Sequence, residues 1–365
     1  MVANCSTWPI PQVMAKVYLV MIATIVLLAS LLLPLASASR VAVVAGTHGN
    51  EFTGVYVIEQ LEPAALRRDY PSLRVETLIA NPRAFSATRR FIDADLNRQF
   101  AGRRSEDTQQ LEAVRAAEIE AQLGPKGSAQ ACDVVVDLHT TTSNMGCTLI
   151  VNSYCQLALR AAAYLTQAWA GGGGEGGGGE GGGGGGPDLP ASVHPLRIYV
   201  HDTSQAAAPY LCSVGRAGLT IEVGPTPTGL LRADAVATTQ RALGLVLRFL
   251  DLEASGRAPQ PPPTVRVYVD AARVPWPAAE GGSRLPGALI APGLQDRDFE
   301  PLAAGDALFV RRNGRVVEYD GESGAVVYPV FVNEAAYYHT QSGAAGVALA
   351  TLADWPIEDV TPESR

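Results

Sequence analysis

Five histidines occur in this chain of 365 residues, and two of them, His48 and His139, stand where apolar runs give way to polar turns. His48 lies in Gly46-Thr47-His48-Gly49-Asn50-Glu51, directly after the run Val41–Ala45. A compact turn with two flexible glycines can bring an imidazole and a carboxylate three residues apart onto one cation, which a rigid strand could not do. Alone, His-x-x-Glu is equally a polar loop with a capping glutamate. The second run, Val134-Val135-Val136-Asp137-Leu138-His139, changes that weighting. It reads as a buried strand ending in an imidazole, with the polar stretch Thr140–Asn144 behind it. Two His and one Glu, with a fourth position left for water, make a common catalytic zinc set that activates the water and polarises a carbonyl. His48, Glu51 and His139 are therefore candidate ligands for one zinc ion per subunit, and Asp137 is a candidate orienter of an imidazole. His194, His201 and His339 look less constrained.

Two more clusters carry charge at turns. Arg89-Arg90-Phe91-Ile92-Asp93-Ala94-Asp95-Leu96-Asn97-Arg98 offers guanidinium forks that bind carboxylates and stabilise developing oxyanions. The bland alternative is a salt-bridged surface loop in which Asp93 and Asp95 neutralise the arginines. In Leu219-Thr220-Ile221-Glu222-Val223-Gly224-Pro225 a carboxylate follows a short, mostly apolar segment. At a strand end in a metal cleft it can relay a proton from water to a leaving nitrogen; its alternative is an edge-strand surface charge.

These residues need a scaffold that collects strand ends. From Arg40 onward short β-rich runs alternate with longer helical stretches, the pattern of an α/β fold whose central sheet is covered on both faces by helices. Strands are expected at Arg40–Ala45, Leu73–Ile79, Val134–His139, Thr148–Val151, Leu196–Val200 and Leu219–Val223. Helices are expected from an N-cap at Ser105 to Leu123, stopping at Gly124-Pro125, and over Ala233–Leu252. The proline-rich stretch Ala258–Pro263 is followed by short strands punctuated by Gly and Pro. The domain boundary is placed there, with a zinc hydrolase domain over 40–256 and a smaller β-rich domain over 257–365. Gly171–Gly186 is almost pure glycine and reads as a disordered surface insertion; without a following Gly-Lys-Ser/Thr it is not a phosphate loop.

Composition narrows the class. With 47% hydrophobic and 18% charged residues the chain is ordinary globular material, and a formal charge of −8 argues against a nucleic-acid partner. Five scattered cysteines without a Cys-x-x-Cys pair suggest neither a disulfide framework nor a thiolate zinc site, and fit a reducing compartment. The N-terminus points the other way: Lys16 precedes an apolar run, Val17–Leu35, followed by Ala36-Ser37-Ala38. Residues 1–39 thus read as a cleaved secretory signal, as a membrane anchor, or as a gene-model extension before a cytosolic enzyme, so localisation stays open between the secretory pathway and the cytoplasm. A membrane partner is expected only if this segment is retained.

Taken together the segments resemble the aspartoacylase and type-three aminoacylase family, related to zinc carboxypeptidases and succinylglutamate desuccinylases. The resemblance runs in order through Gly46–Gly54, Asn81-Pro82-Arg83, Arg90–Arg98, Asp137–Ile150, Ile221–Asp234 and Tyr328–Tyr338. It implies a zinc-carboxypeptidase-like mixed central sheet with a smaller β-rich C-terminal domain capping the active site, which favours small acyl-amino acids over peptides. It implies His48, Glu51 and His139 as zinc ligands and Glu222 as the general base that becomes the acid. Arg90 would polarise the scissile carbonyl, Asn97 and Arg98 would hold the α-carboxylate, and Tyr337 would reach into the cleft. The implied reaction is hydrolysis of an N-acyl, chiefly N-acetyl, amino acid to a carboxylate and a free amino acid; a homo-oligomer is compatible with it. Aspartoacylases carry an arginine about ten residues before the catalytic glutamate to grip the side chain of N-acetylaspartate. Here that position is Cys212, and the nearest arginine, Arg216, lies four residues further on. N-acetylated neutral or aromatic amino acids are accordingly expected over N-acetylaspartate. The alternatives are an aspartoacylase proper, a carboxypeptidase-like peptidase, which needs an open groove, and a silent metal-binding protein, which has no need of Glu222.

Overall fold

In the computed structural model the structure describes residues 38–101, 109–170, 194–279, 285–338 and 345–358. The chain runs β1 (Ser39–Ala45), α1 (Phe52–Glu59), α2 (Pro63–Asp69), β2 (Leu73–Ile79), α3 (Pro82–Ser86), α4 (Leu111–Leu123), β3 (Val134–Thr140), β4 (Gly146–Asn152), α5 (Gln156–Ala170), β5 (Leu196–His201), β6 (Ala217–Gly224) and α6 (Ala233–Ala254). It continues through β7 (Thr264–Val274), β8 (Ala288–Ile290), β9 (Leu302–Ala303), β10 (Ala307–Arg311), β11 (Val316–Glu318), β12 (Val326–Val330) and β13 (Val347–Pro356). Among the described residues the strands form a ten-stranded mixed sheet ordered β2-β1-β3-β6-β4-β5-β7-β13-β12-β9 and a three-stranded sheet ordered β11-β10-β8. This is the α/β architecture with a β-rich C-terminal part that the sequence leads one to expect.

The central strands do not alternate in polarity because both faces are covered. Val41, Val43 and Ala45 of β1 pack with Val55 and Val57 of α1, Leu159 of α5 and Leu243 and Leu247 of α6. Ala42 and Val44 turn the other way, with Val135, onto Ile119 and Leu123 of α4. Every residue of β3 and of β6 is buried. Their register pairs His139 with Glu222 on neighbouring parallel strands. β4 runs antiparallel on the far side of β6, setting Thr148 opposite Glu222 and Ile150 opposite Thr220.

Two elements differ from expectation. The helix ending at Gly124-Pro125 begins at Leu111, after Gln110, which makes no side-chain cap. Ser105 lies outside the described residues, and Leu111 N instead donates to Asp93 Oδ2 at 2.8 Å, so the start is set by a tertiary partner that no local signal reveals. Beyond Ala258–Pro263, where the composition changes, the main sheet carries on: β7 pairs parallel with β5 and antiparallel with β13. The glycine tract, His339 and the apolar run Val17–Leu35 also lie outside the described residues; among those described no helix is long and apolar enough to cross a membrane.

The turn between β1 and α1 is pressed onto α3. Gly46 has φ +64°, which favours glycine, and a Cβ on Gly49 would stand 2.1 Å from the Ala84 carbonyl carbon and 2.2 Å from Phe85 N. Gly49→Ala must therefore push the turn off α3. We expect it to lower stability by about 1–3 kcal/mol, the usual cost of overpacking, and to weaken metal binding, since His48 and Glu51 flank the clash. Thermal melts and metal stoichiometry check this; an unchanged melting temperature with full metal would show that the turn is free to move.

Candidate metal centre and active site

Glu51 sits at the N-cap of α1 but caps nothing, because its side chain is turned inward. Its Oε1 lies 2.6 Å from His48 Nδ1 and its Oε2 3.0 Å from His139 Nδ1, and Oε2 also accepts the Thr140 N–H at 3.0 Å. The two Nδ1 atoms are 3.1 Å apart. Each imidazole is gripped from behind: His48 Nε2 is 3.2 Å from Asp95 Oδ1, and His139 Nε2 is 2.8 Å from Asp137 Oδ2, whose other oxygen accepts the Thr47 hydroxyl at 2.8 Å. A carboxylate behind each Nε2 keeps a hydrogen there and turns both Nδ1 lone pairs, with the Glu51 oxygens, onto one buried point. Facing lone pairs in a dry site require a cation between them. Among the described residues His48, Glu51 and His139, with ligand atoms all within 4.8 Å of one another, form the cluster able to hold a metal ion.

The charges are interlocked. Burial alone would raise the Glu51 and Asp95 carboxyls. Instead His48 and His139 hold Glu51, and Arg90 and His48 hold Asp95, well below the usual carboxylate range. Burial would lower His139, yet Asp137 and Glu51 on either side raise it well above the ordinary imidazole value, so without a metal a proton takes the cation's place. Glu222 behaves oppositely. Burial, reinforced by Glu51 and Glu334, outweighs His139 and Arg90 and pushes its carboxyl up to about 8.

The residues singled out in the sequence meet around one cavity of about 270 Å³, lined by His48, Arg90, Asn97, Arg98, His139, Glu222 and Tyr337. Arg90 donates from Nε and Nη2 to Asp95 Oδ2 at 3.2 and 3.1 Å and from Nη1 to Glu51 Oε1 at 3.4 Å. Asp95 thus neutralises an arginine internally, but at the floor of a cavity rather than on a surface loop. Asn97 Oδ1 accepts the Leu211 N–H at 2.8 Å, which leaves its NH₂ as a donor, and the Arg98 guanidinium lies 5.4 Å from the Tyr210 ring centre. Tyr337 lines this cavity in the turn Ala335–Tyr338, whereas its neighbour Tyr338 packs on Trp276. Cys212 is buried at the wall, while Arg216 points away at the other end of the sheet, donating to Asp133 Oδ1 at 3.1 Å and to the Ala129 carbonyl.

Several members of the site went unread in the sequence. Glu112 of α4 is fully buried and accepts the N–H groups of Ile92, Asp93 and Ala94 and the Asn81 amide, which fixes the loop that carries Arg90 and Asp95. Glu334 accepts the Thr141 hydroxyl, Thr142 N at 2.8 Å and Ala336 N at 2.9 Å, tying the loop after His139 to the turn bearing Tyr337. A helical glutamate and a glutamate in an irregular loop look like surface charges until the fold is known. His201, which looks less constrained in the sequence, lines the cavity with Asp270 and Arg273.

A buried mixed sheet with a His-Glu-His centre at its strand ends is the architecture of a metal-dependent amidohydrolase. Residues 37–171 match the succinylglutamate desuccinylase/aspartoacylase catalytic domain and residues 264–345 the barrel-sandwich hybrid domain of the same group. The chain is 38% identical to the aspartoacylase of Rattus norvegicus over 86% of its own length and 93% of the rat protein's. It is likewise 38% identical to the Homo sapiens N-acyl-aromatic-L-amino acid amidohydrolase (carboxylate-forming), over 85% of this chain and 90% of the human one. The crystal structure of murine aminoacylase 3 superposes with a TM-score of 0.72 at 32% identity, covering 88% of this chain and 97% of that one. The chain belongs to the succinylglutamate desuccinylase/aspartoacylase family.

Two outcomes follow from the geometry. Asp95→Asn removes no ligand but releases His48, and we expect metal affinity to fall about 10–100-fold, as for loss of an outer-shell carboxylate, while His139→Ala abolishes stoichiometric binding; competition with a chelator measures both. The second concerns pH. Glu222 rises on folding from 4.5 to about 8, so in metal-free protein its contribution to stability is complete below pH 4.5 and is lost as pH rises through about 8. The metal-free melting temperature should fall over that window in the wild type and less in Glu222→Gln. Parallel slopes for the two proteins would contradict the burial of this carboxyl.

Proposed function

We propose that this chain is a zinc amidohydrolase that cleaves N-acyl, chiefly N-acetyl, amino acids to a carboxylate and a free amino acid. The observation that carries this reading is the meeting, at one cavity, of a metal-ligand triad, the protonatable Glu222 on the adjacent strand and the guanidinium of Arg90. Zinc, held by His48, Glu51 and His139, would polarise the acyl carbonyl and lower the pKa of the attacking water. Glu222 takes a proton from that water as it adds to the carbonyl carbon, and delivers it to the nitrogen as the C–N bond breaks. Its place beside His139 on the neighbouring parallel strand suits both duties. Arg90 retains two of its five N–H groups beyond Asp95 and Glu51, enough to meet an oxyanion in a site of low dielectric. Asn97 and Arg98 hold the α-carboxylate, and Tyr337 closes the cavity over the substrate.

Cavity size and wall chemistry define the substrate. A space of about 270 Å³ falls below the range of about 300–1,000 Å³ for drug-sized pockets and suits one amino acid with a short acyl group, not a peptide. Cys212 offers no charge where a side-chain carboxylate would need one, and Arg216 faces solvent. An aspartate side chain would lose its hydration there without a cationic partner. Neutral and aromatic N-acetyl amino acids are favoured, as the human relative's name suggests for that protein. Zinc-loaded protein should hydrolyse N-acetyltyrosine with kcat/KM about 10²-fold above N-acetylaspartate, roughly 2.8 kcal/mol at 1.4 kcal/mol per decade. Cys212→Arg should narrow the gap, and Glu222→Gln should lose at least about 10² in turnover with zinc retained. Preference for N-acetylaspartate in the wild type would reverse the specificity reading, and full turnover by Glu222→Gln would exclude the proton relay.

A further inference from the structure

The end of the cavity remote from the metal ligands is as carefully built as the catalytic end. Its floor is one face of four neighbouring strands, β6, β4, β5 and β7, on which alternate residues point the same way. Register pairs Ile150 with Thr220, Asn152 with His201 and Tyr199 with Tyr268, which brings Asp270, two residues after Tyr268, beside His201. Asp270 Oδ1 accepts the Tyr199 hydroxyl at 2.6 Å, and Oδ2 lies 3.3 Å from His201 Nδ1. On its other side the His201 ring stacks on Tyr210 at 5.2 Å and 27°, and Tyr210 in turn underlies Arg98. An aromatic wall therefore leads from the α-carboxylate holder to Asp270.

A bulge completes this end. Asp270 and Arg273 are three residues apart and would face opposite sides of a regular strand, yet both line the cavity. The pairing with β13 slips between them, Ala350 facing Asp270 and Leu349 facing Ala272, so Ala271 is an extra residue that restores Arg273 to the cavity face. Arg273 is engaged there, over the Tyr337 ring at 4.9 Å and on the Gly346 carbonyl at 3.4 Å. The Asp270 side chain remains 35% exposed, and a carboxylate has about four lone-pair directions, of which Tyr199 and His201 occupy two.

We propose that Asp270, held in place by Tyr199 and His201, is a specificity-determining residue that accepts a hydrogen bond from the far end of the substrate's side chain. This rests on the N-acyl amino acid hydrolase reading and narrows it. The favoured substrates carry an N–H or O–H donor at the tip of a long side chain, tyrosine foremost, over the same skeleton without the donor. The spacing suits this: Asp270 stands three strand separations of about 4.8 Å, roughly 14 Å, across the sheet from Glu222 and four residues, roughly 13 Å, off its level along the strands, a span that a long side chain fills once the reach of the two acidic side chains is subtracted. An acidic side chain would meet the Asp270 carboxylate as a like charge, a second reason for its exclusion beside Cys212.

The test compares N-acetyltyrosine with N-acetylphenylalanine on the zinc-loaded full chain, in the wild type, Asp270→Asn and Asp270→Ala. Binding of free L-tyrosine and L-phenylalanine is measured alongside by calorimetry. The wild type should prefer the tyrosine compound by about tenfold, the discrimination of one charge-assisted hydrogen bond. The ratio should fall toward one in both variants, through KM more than kcat. A wild-type ratio near one, or a ratio that survives in both folded variants, overturns the proposal. If neither acyl substrate is hydrolysed, the hydrolase reading fails, while the tyrosine-to-phenylalanine binding ratio still decides for or against Asp270.

Discussion

Glu51 is an anion buried between two imidazoles, and the rest of the site can be understood as what that burial demands. A carboxylate without water or a partner is too costly to keep. Here the two Nδ1 atoms face it, and a metal or a proton must join them. The imidazoles hold their orientation because Asp95 and Asp137 stand behind them, and Asp95 stays ionised because Arg90 lies across it. Each added charge needs the next, so the network ends only where neutral donors take over: Thr140 N on Glu51, Asn97 N on Asp95 and the Thr47 hydroxyl on Asp137. A chain of mutually dependent buried charges is stabilising only when complete. That explains why the turn after β1, the end of β3 and the loop after α3 are locked together.

The sheet acts as the ruler for everything else. Parallel β3 and β6 deliver His139 and Glu222 side by side without any loop having to aim them, and strands two and three places further on deliver His201 and Asp270 at fixed intervals. Because β7 belongs both to this sheet and to the C-terminal β-rich part, the cavity's far wall is continuous with its catalytic wall. Glu334, bonded to the loop that follows His139, closes the arrangement from above.

Much of the catalytic end is legible in the sequence. Apolar runs ending in His48 and His139 mark strand ends, and in an open α/β sheet strand ends are where ligands sit. Glu222 is legible for the same reason, since a charge closing an apolar run is conspicuous. Glu112, Glu334 and Asp270 are not. Each lies in a segment of ordinary polarity, a helix face, a loop and a half-exposed strand, and each acquires meaning from a partner that is distant in the chain. His201 looks less constrained on the same ground: it closes a strand, but its partner is Asp270, 69 residues away. The bulge at Ala271 is equally silent, since two adjacent alanines, Ala271 and Ala272, do not show which of them is the extra residue.

The two ends of the cavity differ in how freely they can change. At the metal end the carboxylates of Glu51 and Asp95 are each shared among several residues, so one substitution strands the others, and its effect cannot be separated from theirs. At the far end Asp270 has unfilled lone pairs and bonds to Tyr199 and His201, outside the charge network around Glu51. Sites roughly 10 Å apart with no shared partners combine almost additively. A change at Asp270 can therefore alter the far wall of the cavity while leaving the charge network around Glu51 untouched. Two relatives, each 38% identical to this chain, bear names as different as aspartoacylase and N-acyl-aromatic-L-amino acid amidohydrolase.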